Sequence, residues 1–290
     1  MKRKNNISCV ILTYNEAHRL RDCLRSAVWA DEIVVIDGHS SDETAAIAKE
    51  FTKKVVLSDR LGPQNPGGFS AQRNFGLEQA SGEWVFFLDA DERFTPELAE
   101  EIQELCINGI DKKTVALRVR RREHFFGVHS PYTHSEGWQT RLVRKGFAIW
   151  DGRLVHEGLI LQGDVESLKG YLLHFSKDSI ADYVATQNRY TSLEAEQAVH
   201  DGKPLPRSPW KEMVKTFLNI YIYRGSYREG AFGMIMSLLF TQCAFLCWAK
   251  RWEMAMKSAQ FDAREPRFAW CECGARWLGK LWRIVSPPAK

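Results

Sequence analysis

Short apolar runs alternate with amphipathic helical stretches through the first hundred residues, and this alternation constrains the fold more than any single motif. Ser8 to Thr13, Glu32 to Ile36, Lys54 to Leu57 and Trp84 to Leu88 read as strands. Between them, Ala17 to Val28 puts Leu20, Cys23, Leu24, Ala27 and Val28 on one helical face. Ser40 opens a second helix, with Glu43 three residues on as a capping box. Ser70 to Ala80 is a third helix. Thr95-Pro96 begins a fourth, with threonine as N-cap and proline at the first helical position. Strands alternating with helices predict an α/β fold built on a mostly parallel, doubly wound sheet. Right-handed crossovers bring the carboxyl ends of its strands to one edge, where open α/β sheets bind ligands.

The polar clusters fall at that edge. Thr13-Tyr14-Asn15-Glu16 follows the first strand, Asp37-Gly38-His39-Ser40-Ser41-Asp42 the second, and Asp89-Ala90-Asp91 the fourth. Two carboxylates one residue apart at a strand mouth suit a hard divalent cation shared with phosphate oxygens. A solvated loop start is the plain alternative. No Gly-x-Gly-x-x-Gly follows the first strand and no Gly-Lys-Ser/Thr loop occurs, which disfavours a dehydrogenase-type dinucleotide site and a P-loop. A nucleotidyltransferase would carry a basic, Gly-rich phosphate loop where Thr-Tyr-Asn-Glu stands.

From Thr114 to about Phe175 the strand signals shorten and become irregular. Beyond Ser176 the pattern turns helical, over Tyr183 to Val199, Trp210 to Arg224 and Ala231 to Met256. Two domains are expected, residues 1–175 and 176–290. The net charge of +4 is uneven: from Lys250 onward nine basic residues face four acidic ones, with Trp252, Trp270, Trp277 and Trp282 among them. Basic residues interleaved with tryptophans suit an anionic membrane surface. A nucleic-acid patch would use similar residues, but the clusters at the sheet edge favour the membrane, so no nucleic-acid partner is expected. The nineteen residues Ala231 to Ala249 carry no charge. They read as a helix packed on the domain or lying on a membrane in preference to one that spans it. Seven scattered cysteines, an odd number, argue for a reducing compartment, and Val10-Ile11-Leu12 is too short for a signal-peptide core. A cytoplasmic protein, peripheral on the inner face of the plasma membrane, is expected.

Val10-Ile-Leu-Thr-Tyr-Asn-Glu16, Ile33-Val-Val-Ile-Asp-Gly38 with Ser41-Asp-Glu-Thr44, Gln72-Arg-Asn-Phe-Gly76, and Gly82 through Glu92 resemble, in order and spacing, the inverting glycosyltransferases of family 2, which have the GT-A fold. Gln139-Thr-Arg-Leu-Val-Arg144, Leu154-Val-His-Glu157 and Leu173-His174 resemble the branch containing the lipopolysaccharide inner-core β-1,4-glucosyltransferases. The resemblance implies transfer of a hexose, glucose in the first instance, from a UDP-sugar to a glycolipid, with Mg²⁺ or Mn²⁺ as cofactor. It implies that Thr13, Asn15, Glu16, Asp37, Asp42, Arg73 and Asn74 line the nucleotide-sugar pocket. Asp91 would bind the metal directly, and Asp89 would bind the ribose or reach the metal through water. His174 would complete the metal shell from the far side, unless it is a core histidine at a strand end. The resemblance places the catalytic base near His156-Glu157, with Glu157 expected to serve and His156 as the alternative. The simpler readings remain beside these: Asp37 as a turn carboxylate, Asp42 in the first turn of a helix, Asn15 and Glu16 as caps, and Arg73 as an exposed helix arginine.

Arg118, Arg120, Arg121 and Arg122 with His124-Phe125-Phe126 read as a dock for a phosphorylated acceptor or as the outward face of a strand, where alternation places Arg118, Arg120 and Arg122 together. Two further readings compete with the glycolipid one. One is a family 2 transferase acting on a polyprenyl phosphate or a protein; the other is a non-catalytic nucleic-acid-binding protein.

Overall fold

The computed structural model describes residues 6–60, 69–133, 137–151, 158–206 and 208–257. The chain divides into two compact units, Met1–Ile180 and Ala181–Lys290.

The first unit is a nine-stranded sheet flanked by helices. Its elements are β1 (Ile7–Thr13), α1 (Ala17–Ala27), β2 (Glu32–Asp37), α2 (Thr44–Phe51), β3 (Val55–Leu57), α3 (Phe69–Gln79), β4 (Trp84–Asp89), β5 (Glu92–Phe94), α4 (Pro96–Asn108), β6 (Thr114–Phe125), β7 (Val128–His129), β8 (Gly137–Arg144) and β11 (Asp164–Lys177). A separate two-stranded sheet is formed by β9 (Ala148–Trp150) and β10 (Leu159–Leu161). The main sheet runs β3-β2-β1-β4-β8-β6-β11-β5, with β7 on β6. The strands β3, β2, β1, β4, β6 and β11 point one way, and β8, β5 and β7 are antiparallel to their neighbours.

Two registers position the edge that matters. β1 lies between β2 and β4, with Thr13 opposite Asp37 and Leu12 opposite Asp89. The three polar clusters therefore end level. Farther across, β11 lies between β6 and β5, with His174 opposite both Glu123 and Glu92.

Alternation along β1 splits the core. Ile7, Cys9 and Ile11 face the layer that includes Leu20 and Leu24 of α1 and Leu98 and Ile102 of α4. Val10 and Leu12 face the layer that includes Phe75 and Leu77 of α3 and Trp150. A Cβ on Gly76 would come within 2.6 Å of Val10 Cγ1, so only glycine lets α3 ride this close to β1.

Thr95 caps α4 through a hydrogen bond from the Leu98 N–H, with Pro96 first in the helix. The capping box expected at Ser40 does not form, because α2 starts at Thr44. The Ser40 hydroxyl is committed elsewhere, donating to Asp37 Oδ1 and accepting the Asn15 N–H.

At the opposite end of the sheet, Glu32 accepts from Lys54 Nζ, the Ser8 hydroxyl and the Ser81 N–H. Burial alone would raise its carboxyl, but these hydrogen bonds win and hold it at about 2. A depressed folded value contributes stability above the ordinary value of 4.5, which is lost as pH falls through the folded one. After discounting for solvent screening, Glu32→Gln should cost about 1–2 kcal/mol at pH 7, shrinking toward zero near pH 2. Urea midpoints of both proteins across that range test this, and a cost independent of pH would refute it.

The second unit is helical. It contains α5 (Ile180–His200, whose first residue belongs to the first unit), α6 (Trp210–Phe217), a π-helical turn Leu218–Tyr223, a 3₁₀ turn Ser226–Glu229 and α7 (Gly230–Lys257). Among the described residues, one helix, Ser226–Lys257, is long and apolar enough to cross a membrane.

Candidate functional site

The loops after β1 and β2 lock into one another. Asp37 is buried, and its carboxylate accepts from the Thr13 hydroxyl at 3.0 Å and from the Ser40 N–H at 2.9 Å and hydroxyl at 2.6 Å. Asn15 Oδ1 accepts the Ser41 N–H at 2.8 Å. The Glu16 N–H donates to the Thr44 hydroxyl. Asp42 lies before α2, where it accepts the N–H groups of both Ala17 and Thr44, so one carboxylate caps the starts of α1 and α2. Asn15 and His39 both take left-handed backbone conformations, with φ of 53° and 61°. Asparagine and histidine tolerate that region better than most residues.

The Glu16 side chain is half-buried, and its Oε2 has no hydrogen-bond partner among the described residues. Burial first, and the Asp91 charge second, push its carboxyl up to about 7.

A chain of alternating charges then crosses the sheet. Arg73 Nη2 lies 3.3 Å from Asp89 Oδ1, and Arg141 Nη2 lies 2.7 Å from Asp89 Oδ2 and 2.5 Å from Glu92 Oε1. Arg121 reaches Glu92 at 3.5 Å and Glu123 at 2.7 Å. Glu123 Oε2 lies 2.5 Å from His174 Nδ1, and His174 Nε2 lies 3.1 Å from Asp91 Oδ2. Arg19 closes the series, 3.9 Å from Asp91 and 2.6 Å from Asp178. Glu92 is fully buried, and its Oε2 also accepts the Asp89 N–H at 3.0 Å. Burial raises the Glu92 carboxyl. For Asp89, Arg141 and Arg73 overcome burial and hold the carboxyl well below the usual range. Burial would lower His174, but its hydrogen bonds to Asp91 and Glu123 outweigh that and raise it to about 9.

The two carboxylates of Asp89-Ala90-Asp91 therefore have different environments. Asp89 is compensated by two arginines. Asp91 faces an imidazole whose other nitrogen is held by a carboxylate, an arrangement that orients a metal-binding histidine. Asp91 and His174 could hold Mg²⁺ or Mn²⁺ only once His174, favoured in its charged form between two carboxylates, gives up its Nε2 proton. Among the described residues, no third Cys, His, Asp or Glu joins them as a cation cluster.

Asn74, expected in the nucleotide pocket, makes a two-way bond with the backbone of Trp150: Nδ2 donates to its carbonyl and Oδ1 accepts its N–H, both at 3.0 Å. It ties α3 to the end of β9. His156 and Glu157 lie outside the described residues. The sequence reading gave no role to Arg141, Glu92, Glu123 or Arg19, and it offered Arg121 only as part of a dock for a phosphorylated acceptor, whereas its side chain is engaged with Glu92 and Glu123.

The fold is that of the GT-A glycosyltransferases. The chain belongs to glycosyl transferase family 2, whose family profile matches residues 8–159. It is 33% identical over 251 residues to the lipopolysaccharide core biosynthesis glycosyltransferase LpsC of Rhizobium meliloti (strain 1021), covering 84% of this chain and 91% of that one. It is also 29% identical over 274 residues to an uncharacterized glycosyltransferase of Rickettsia felis, covering 89% and 93%. Among solved structures it is similar to the mannosyltransferase PcManGT of Pyrobaculum calidifontis, solved with GDP-Man and Mn²⁺, at 15% identity and a TM-score of 0.44 over 97% of this chain and 88% of that one.

Proposed function

We propose that this family 2 transferase moves a hexose, glucose in the first instance, from a UDP-sugar to a glycolipid acceptor of the lipopolysaccharide inner core, by metal-dependent single displacement with inversion. The observation that carries the metal-dependent part is the pairing of Asp91 with His174, backed by Glu123, beside the interlocked loops after β1 and β2. The LpsC relative supports the acceptor class.

In this reading, Asp91, with His174 once its Nε2 is deprotonated, would hold Mg²⁺ or Mn²⁺, which would supply positive charge against the leaving diphosphate. Glu123, on Nδ1, keeps Nε2 of His174 turned toward Asp91. Thr13, Asn15, Glu16, Asp37 and Asp42 shape the nucleotide pocket, and their mutual hydrogen bonds keep it formed before the donor arrives. Arg73 stands at the mouth of β4 beside Asp89 and meets the diphosphate or the uracil. Asp89 accepts from the ribose while its arginines keep it ionised. Glu157 takes the proton of the acceptor hydroxyl as that oxygen attacks the anomeric carbon from the face opposite the departing nucleotide, with His156 as its alternate. Asn74, by fixing Trp150, holds the start of the segment that carries them. Residues 1–175 form the catalytic domain and 176–290 an extension that keeps the enzyme on the inner face of the membrane.

Calorimetric titration of UDP-glucose, UDP-galactose and GDP-mannose, with and without Mn²⁺, tests the donor assignment. Metal-dependent binding of UDP-glucose is expected. Binding of none of the three at millimolar concentration would end the proposal.

A further inference from the structure

A helix that lies on a membrane must keep its apolar residues on one side over its whole length, and steps of four residues along an α-helix drift by about 40° each. From Trp210, steps of four give Val214, Leu218 and Ile222, and all four side chains are exposed. α6 ends at Phe217, and the backbone widens into the π-helical turn Leu218–Tyr223. With more than four residues per turn, the π segment takes the drift back and returns Ile222 to the row. Tyr223 beside it is 87% exposed. The surrounding stretch carries Lys211, Lys215, Arg224 and Arg228 against two acids, Glu212 and Glu229.

The neighbouring α7, which packs against α6, has a second exposed stripe, Met234, Ile235, Leu238 and Phe245, interrupted by Gln242. Only 17% of its most apolar window is buried, too little for a core helix. Its far half is committed to polar company. Tyr183 of α5 packs on Phe240, and Gln187 and the Tyr183 hydroxyl meet Cys243. Lys250 Nζ donates to Asn188 Oδ1 and to the hydroxyls of Thr191 and Ser192. Trp248 and Arg251 donate to the backbone carbonyls of Pro206, Lys203 and Pro204. Crossing a bilayer would either strip α7 of these partners or draw Gln187, Asn188, Thr191 and Ser192 of α5 toward hydrocarbon with it, at several kcal/mol for each polar group left unsatisfied.

We infer that the row Trp210, Val214, Leu218 and Ile222, with the exposed stripe of α7, is the surface that seats this protein on an anionic lipid bilayer, lying in the interface plane and not spanning it. Exposed apolar side chains flanked by lysine and arginine match the acyl boundary and the headgroup charge of such a surface. The inference rests on the membrane-acceptor reading above and names the face that serves it.

The test uses the full chain and sedimentation with vesicles of phosphatidylcholine containing 30 mol% phosphatidylglycerol, or of phosphatidylcholine alone. Wild type should bind the anionic vesicles and be released by alkaline carbonate. Val214→Glu/Leu218→Glu/Ile222→Glu should weaken binding about tenfold or more, and Lys211→Gln/Lys215→Gln should erase most of the preference for anionic lipid. Both variants change exposed residues and should bind UDP-sugar as wild type does. Unchanged vesicle binding by the triple variant would overturn the inference. So would carbonate-resistant wild type, which means a span, or a wild-type dimer that the triple variant dissociates without loss of vesicle binding. Absence of UDP-sugar binding with vesicle binding intact would strike the enzymatic reading alone.

Discussion

Asp91→Ala should lower turnover by about 10³-fold or more, equivalent to about 4 kcal/mol of transition-state stabilisation, while leaving the fold intact. The reasoning starts from what Asp91 touches. Its carboxylate is a quarter exposed, its close partner is His174 Nε2, and Arg19 stands farther off. Removing it costs His174 Nε2 its partner, but His174 keeps Glu123 on Nδ1 and Arg19 keeps Asp178. The thermal midpoint should therefore move little, whereas metal-dependent donor binding should disappear from the calorimeter. Asp91→Asn keeps the shape and removes the charge, and should be nearly as inactive. Activity within tenfold of wild type, in the presence of saturating Mn²⁺, would show that the metal is not held here.

Arg141 carries the opposite expectation. Its side chain is almost completely buried, and one nitrogen sits between Asp89 and Glu92. Arg141→Met fills the volume but leaves two carboxylates with their shared counter-charge gone. Removing one partner of a buried pair costs about 3–5 kcal/mol, because the remaining charge is desolvated without compensation. Arg141→Lys keeps the charge but not the planar fork that reaches two acids, so it should fall between. Denaturant midpoints of the three proteins decide the order. A methionine variant as stable as wild type would mean that the carboxylates find other partners. The comparison with Asp91 is instructive: one residue should govern chemistry with little effect on stability, the other mainly stability.

The residues that repeat with a regular period were the readable part of this protein. The strands β1, β2, β3 and β4 and the helices between them follow from apolar spacing, and the clusters at their ends follow from crossover handedness. The start of α2 was misplaced because Ser40 has the composition of a cap but spends its hydroxyl on a partner from β2 and another from the loop after β1, a choice that only tertiary structure can make. The charge chain was missed for a related reason. The alternation that sets Arg118, Arg120 and Arg122 on one face of β6 sets Val119, Arg121 and Glu123 on the other, and this was available from sequence. That the second face meets Arg141 from β8 and His174 from β11 was not, because the β6–β11 pairing contains three register shifts that no local pattern marks. Asn74 was assigned by its place in a motif, and its bond to a backbone 76 residues away carries no local signature.

The pairing of Asp91 with His174 bridges 83 positions of chain. During synthesis the nucleotide loops and both arginine-compensated carboxylates, Asp89 and Glu92, leave the ribosome long before the histidine does, and domains generally fold from the N-terminus first. On the proposed function, a nascent chain stopped before β11 would hold a shaped donor edge one metal ligand short, and the capacity to hold a divalent ion at Asp91 would come late in the life of each molecule.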